Sequence, residues 1–269
     1  MSLLSNLLPI LMMAGPALLP EPPASDPMFH AEPGSLQPEQ IRAMQQRLAD
    51  WPQLGYYREQ NAALPAAPAD RPRVVFFGDS ITEGWGATGS STFFPGKGYI
   101  NRGISGQTTA QMLLRFRQDV IALRPAVVVV LAGTNDIAGN TGPATQAMIE
   151  DNLHGMVELA KAHGIAVVLS SVLPVSSYPW RAGLRPADKV RALNTALKQY
   201  AGTEGIVFLD YHALMTNKEG GLDVALSADG VHTTPAGYAR MAPLAEAAIA
   251  DALAAAGAVP SGRTQGTER

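Results

Sequence analysis

Apolar and polar positions along this chain follow two alternating periods. VVFFG at 74–78, AVVVVLAG at 126–133 and IAVVLSSV at 165–172 are apolar almost throughout and are stopped by small or polar residues. Such runs read as strands buried on both faces. GYINRG at 98–103 and GIVFLD at 205–210 read as two weaker strands. Between them, apolar residues return every three or four positions, which predicts helices over 36–50, 108–123, 143–164, 186–202 and 235–256. The stripe in 143–164 is Met148, Ile149, Leu153, Met156, Val157 and Ala160, with Gly164 as its stop. In 36–50 it is Ile41, Met44 and Leu48. Strands that need cover on both faces, alternating with helices, predict an α/β protein. Its architecture is a three-layer α/β/α sandwich around a five-stranded parallel sheet, flavodoxin-like in winding.

The ends of the chain depart from this alternation. Residues 2–19, SLLSNLLPILMMAGPALL, form an apolar run followed by prolines and small residues, as a secretory signal does, although no Lys or Arg precedes Arg42. The expected location is secreted or periplasmic, or cytoplasmic if the segment is not a signal. The chain divides into a signal segment and arm (1–35), a helical extension and Pro/Ala linker (36–72), a main domain (73–256) and a polar, disordered tail (257–269). With 269 residues, 46% of them hydrophobic, the chain can bury a core. The net charge is −3 with no basic block, which excludes a sequence-independent nucleic-acid binder. The absence of cysteine excludes disulfide scaffolds, thiolate metal sites and a cysteine nucleophile. The body of the chain has no apolar run long enough to span a membrane. Nothing in the sequence indicates an oligomeric state.

In an open parallel sheet, ligands bind beyond the carboxyl ends of the strands. Gly78-Asp79-Ser80-Ile81-Thr82 follows the first strand, Gly103-Ile104-Ser105-Gly106 the second and Gly133-Thr134-Asn135-Asp136 the third, and Asp229-Gly230-Val231-His232 precedes the last helix. A serine needs a base within hydrogen-bond reach to act as a nucleophile. His232 is the best placed of the five histidines, and Asp229, three residues upstream, can fold back to orient its ring. Attack on an ester carbonyl puts negative charge on oxygen, which needs donors set in advance. The amides of Ser80 and Gly103 and the side chain of Asn135 can supply them. Asp79 and Asp136 read as residues that shape their turns. His154, His163 and His212 read as structural, and His30 lies in the arm.

The blocks GDSIT, NRG at 101–103, GTND and DGVH resemble those of the SGNH hydrolases, the GDSL esterase/lipase family, over residues 73–253 and in the family's order. Ile81 stands where the family name has leucine. The resemblance implies a nucleophile at Ser80, a triad with His232 and Asp229, and oxyanion donors at Ser80, Gly103 and Asn135. It also implies ester hydrolysis without metal or organic cofactor. The expected substrate is a small molecule or carbohydrate carrying a short acyl group, acetyl above all. Thioesterase, lysophospholipase-like and acyltransferase activities use the same triad and stay open, as does a silent binding protein on this fold. Trp85 and Trp180 are expected on the rim of the site, where aromatic rings suit sugars and aryl groups alike.

Overall fold

The computed structural model describes residues 31–32, 34–66, 71–86 and 93–258. The expected export segment at 2–19 and the tail from 259 onward lie outside them. Among the described residues, β1 (Val74–Gly78), β2 (Ile100–Gly103), β3 (Val127–Leu131), β4 (Ala166–Ser170) and β5 (Val207–Leu209) form one parallel sheet in the order β2-β1-β3-β4-β5. This is the flavodoxin-like winding that the alternation predicts.

The central strands are apolar at every position because they feed two cores. Val75, Phe77, Val128 and Val130 face one core, completed by α4 (Thr109–Asp119), α6 (Gln146–Ala162) and α7 (Ala187–Glu204). Val74, Phe76, Val127 and Val129 face the other, closed by α8 (Tyr211–Met215) and α9 (Pro235–Ala258). Thr108 and Gln111 form a capping box on α4, and the Thr145 hydroxyl accepts from Met148 N–H to start α6. Met148 differs from expectation: it is exposed, and Ile149, Leu153, Met156, Val157 and Ala160 carry the buried face. Tyr211 and His212 open α8, where Asp210 accepts from Ala213 N–H at 3.0 Å.

The register levels the carboxyl ends of the strands. Gly78 lies opposite Gly103 on one side and Leu131 on the other, so the loops after β1, β2 and β3 emerge level with one another. Arg115 fixes that level from beneath. It is wholly buried and lies 4.1 Å from the centre of the Phe77 ring. It donates to the carbonyls of Gly78 (2.9 Å) and Arg102 (3.0 Å), to Gln107 Oε1 (2.5 Å), and to Asp119 Oδ2 (3.1 Å), a carboxylate equally buried.

The extension is tied down by polar contacts. α1 (Pro38–Ala49) buries none of its residues, whereas the segment from Trp51 through α2 (Arg58–Ala62) docks on α4 and β2. Gln111, Gln107 and Gln118 donate side-chain N–H groups to the carbonyls of Trp51 (2.6 Å), Pro52 (3.0 Å) and Leu54 (2.6 Å). Asn61 donates to Asp119 Oδ1 at 2.7 Å and accepts from Arg102 Nε at 2.8 Å. The Tyr57 hydroxyl donates to the carbonyl of Gly103.

Replacing Arg115 by methionine strands a buried carboxylate and removes donors from two strand-end carbonyls. Arg115→Met is expected to lower stability by about 3–5 kcal/mol, the cost of breaking a buried ion pair from one side. Urea denaturation measures it. A loss under about 1 kcal/mol would show that the cluster does not hold the strand ends.

Candidate active site

Ser80 opens the four-residue helix α3 (Ser80–Glu83), where the chain turns out of β1. The Asp79 carboxylate accepts from Ile81 N–H at 2.9 Å and makes that turn. The serine Oγ lies 3.0 Å from His232 Nε2. On the other side of the ring, Nδ1 lies 2.6 Å from Asp229 Oδ2. An ionised carboxylate only accepts, so Nδ1 carries the proton and Nε2 is free to accept from Ser80. Asp229 Oδ1 also accepts from the backbone N–H of Val231 (2.9 Å) and His232 (2.8 Å), which closes the loop and fixes the ring. Burial raises the Asp229 carboxyl, but the His232 ring and these two N–H donors outweigh it and hold the group down at about 2.

Asn135, in α5 (Thr134–Ile137), is buried beside this pair. Its Nδ2 donates to the carbonyl of Gln107 at 2.9 Å, and its Oδ1 accepts from Asn140 Nδ2 at 2.7 Å. Asn140 Oδ1 in turn accepts from Trp180 Nε1 at 3.0 Å. An indole N–H is a donor only and a backbone carbonyl an acceptor only, so the two ends of this chain set the direction of both amides. The second hydrogen of Asn135 Nδ2 is left over.

Two expectations are corrected. Gly103 is not placed as a donor to the site: its N–H donates to Asn101 Oδ1 at 2.9 Å, and it does not line the cavity that holds Ser80, Asn135 and His232. Its need for glycine is steric, since a Cβ there would lie 2.1 Å from the Glu83 nitrogen and 2.7 Å from the Asp79 carbonyl. Gly106 lines that cavity instead, at φ +76°, with its N–H unbonded among the described residues. The second glycine of NRGISG, past the end of the strand, was the available signal. Trp85 is not on the rim. At 4% exposure it packs in the second core, stacked on Tyr238 (5.0 Å between centroids) and edge-on to Phe76 (5.7 Å). The aromatic cluster of Phe76, Phe94 and Tyr238 draws it inward. Trp180, 38% exposed, does line the cavity, with its ring 6.3 Å from that of His232.

Two buried carboxyls support the loops. Asp136 accepts from Thr109 N–H and, at 2.6 Å, from its hydroxyl, pinning the loop after β3 to the start of α4. Burial pushes Asp136 up to about 6 and Asp79 up to about 7. Asp79 Oδ2 has no hydrogen-bond partner among the described residues. His154 stacks on Tyr200 and the His163 ring meets the Leu159 carbonyl. Among the described residues no cluster of His, Asp and Glu has the spacing to hold a metal ion.

A carboxyl whose pKa is higher folded than unfolded keeps its proton longer in the folded state. Its stabilising contribution is complete below about pH 4 and is lost as pH rises through about 7 for Asp79. Asp79→Asn cannot ionise, so its melting temperature is expected to fall less than that of the wild type between pH 5 and pH 8. Thermal denaturation across that range decides it, and parallel slopes would exclude the buried ionisation.

The family model described as "GDSL-like Lipase/Acylhydrolase family" matches residues 76–240, more than half of the chain. The chain is 45% identical to a GDSL-like lipase of Bacteroides thetaiotaomicron VPI-5482 whose crystal structure aligns over 75% of this chain and 98% of that one, with a TM-score of 0.72. It is 28% identical over 214 residues to the isoamyl acetate-hydrolyzing esterase 1 homolog of Bos taurus, covering 69% of this chain and 86% of the relative. A Bacillus subtilis (strain 168) relative named as the lipoprotein YqeF is 34% identical over 79 residues, 28% of this chain and 32% of the relative, so the match spans about a third of that protein's length. The family match, together with these relatives, places the chain in the GDSL-like lipase/acylhydrolase family, among the carboxylic ester hydrolases.

Proposed function

We propose that the protein is a serine esterase that removes short acyl groups, acetyl above all, through an acyl-enzyme. The observation that carries this reading is the 3.0 Å contact between Ser80 Oγ and His232 Nε2, on a ring held from behind by Asp229. Ser80 Oγ attacks the ester carbonyl while its proton passes to Nε2, and Asp229 stabilises the imidazolium formed. The oxyanion is met by the N–H groups of Ser80 and Gly106 and by the remaining Asn135 Nδ2 hydrogen. Collapse breaks the C–O bond to the alcohol, which leaves with the proton from His232. Water, activated by the same ring, then releases the acid. Acetyl as the acyl group is supported by the mammalian relative named for hydrolysing isoamyl acetate. An exported location is proposed on the apolar segment at 2–19 and on the Bacillus relative named as a lipoprotein.

Hydrolysis of p-nitrophenyl esters from acetyl to palmitoyl tests the reading. The acetyl ester is expected to turn over fastest, and Ser80→Ala to lower kcat by at least about 10³. A variant that keeps more than about a tenth of the activity would sink Ser80 as nucleophile. Asn140→Asp puts an acceptor where Asn135 Oδ1 needs a donor, so the Asn135 amide turns over and withdraws its hydrogen. The expected result is a kcat lower by about tenfold or more at nearly constant KM. The effect should vanish in an Asn135→Ala background, and additive losses would exclude the coupling.

A further inference from the structure

The cavity at Ser80 and His232 has a volume of about 1140 Å³. Small-molecule pockets mostly run from roughly 300 to 1,000 Å³. An acetyl group fills one corner, so most of the space serves the other half of the ester. Part of the wall is made by the loops of the sheet, with Asn140 and Trp180; a second part is made by α1 and the turn after it, with Met44, Arg47, Leu48 and Trp51.

That second part of the wall is unusual as a piece of protein. A helix with an apolar stripe normally buries it against a core. Here Met44 and Leu48 line the cavity, no residue of α1 is buried, and Leu48 is 73% exposed. What holds the wall lies just beyond the helix. Asp50 accepts from the N–H groups of Leu54 and Gly55, and Gln111 holds the Trp51 carbonyl. Gln107 holds the Pro52 carbonyl with its side chain and the Asn135 side chain with its own carbonyl, so this wall and the Asn135 loop share one support.

The chemistry of the walls narrows the occupant. Two indoles, Trp51 and Trp180, offer broad apolar faces, and planar or charged polar groups stand beside them. Arg47 has no ion-pair or hydrogen-bond partner among the described residues, and neither has the Trp51 indole N–H. An aliphatic alcohol would leave these donors unused. A sugar ring lays its C–H face on an indole and offers hydroxyl acceptors at its edge. On the esterase reading of Ser80 given above, we infer that α1 and Trp51 form an alcohol-side subsite that seats the glycosyl half of an O-acetylated oligosaccharide.

The test is steady-state kinetics of the full chain on p-nitrophenyl acetate, isoamyl acetate and O-acetylated xylotetraose. The variants are Trp51→Ala, which removes the platform, and Ala43→Trp, which fills the cavity from an exposed helix position and leaves the core untouched. Both are expected to raise KM for the acetylated sugar by about tenfold with kcat little changed, and to leave kcat/KM for isoamyl acetate, whose alcohol has no ring to stack, within about twofold. Unchanged kinetics on every substrate, or equal losses on all three, would overturn the subsite. A change confined to isoamyl acetate would overturn the sugar as its occupant, as would a wild type active on p-nitrophenyl acetate and inert on the sugar. If the wild type cleaves no acetyl ester and an organophosphonate leaves Ser80 unlabelled, the esterase reading falls and takes the subsite with it.

Discussion

Everything at the active face depends on a guanidinium that never meets water. Arg115 is an expensive residue to bury, and its charge is tolerated because each direction of its fork finds an acceptor: Gly78 and Arg102 carbonyls, Gln107 and Asp119. Two of those acceptors are backbone groups at the ends of β1 and β2. A strand end normally frays, because its last carbonyls lack ladder partners. Here the Gly78 carbonyl accepts from both Ile104 N–H and Arg115, and the Arg102 carbonyl accepts from Arg115, so both ends are held from inside the protein. The loop carrying Ser80 and the loop carrying Gly106 therefore start from fixed points.

The register then does the assembly. Because β1, β2 and β3 end level, segments far apart in sequence deliver their polar groups to one place, and the loop before α9 brings His232 down upon them. Polar direction is imposed from outside the reacting groups. Asp229 decides which ring nitrogen of His232 carries a proton, and Trp180 decides which way Asn140 and Asn135 point. Polar groups set by their neighbours in this way need little reorganisation when charge develops beside them.

Much of this was legible in the sequence, for identifiable reasons. A strand covered on both faces must be apolar throughout, so β1, β3 and β4 stood out, and with them the class of fold. The four polar blocks were legible because each follows a strand or precedes a helix. The errors fell where the deciding contact is local geometry. Gly103 and Gly106 both follow the strand at donor distance on paper; the Asn101 side chain, which takes the Gly103 N–H, and the cavity, which only Gly106 of the two lines, separate them. Trp85 looks like a rim residue until its packing against Phe76 and Tyr238 is known. The docking of residues 51–62 was illegible because amides hold it, and amides have no periodicity.

The way the extension is held also divides the molecule into parts that open at different free energies. Asn61 shares the Asp119 carboxylate with Arg115, so peeling α2 away exposes one side of the buried ion pair. Amide protons held by the docked segment should thus exchange with solvent only in openings that also disturb the sheet. Helix α1 has no such link: among the described residues none of its side chains is hydrogen-bonded to the sheet or to α4. The boundary between a fraying outer part and a cooperative inner one accordingly falls near Asp50, within a single continuous stretch of chain and well before the first strand of the sheet.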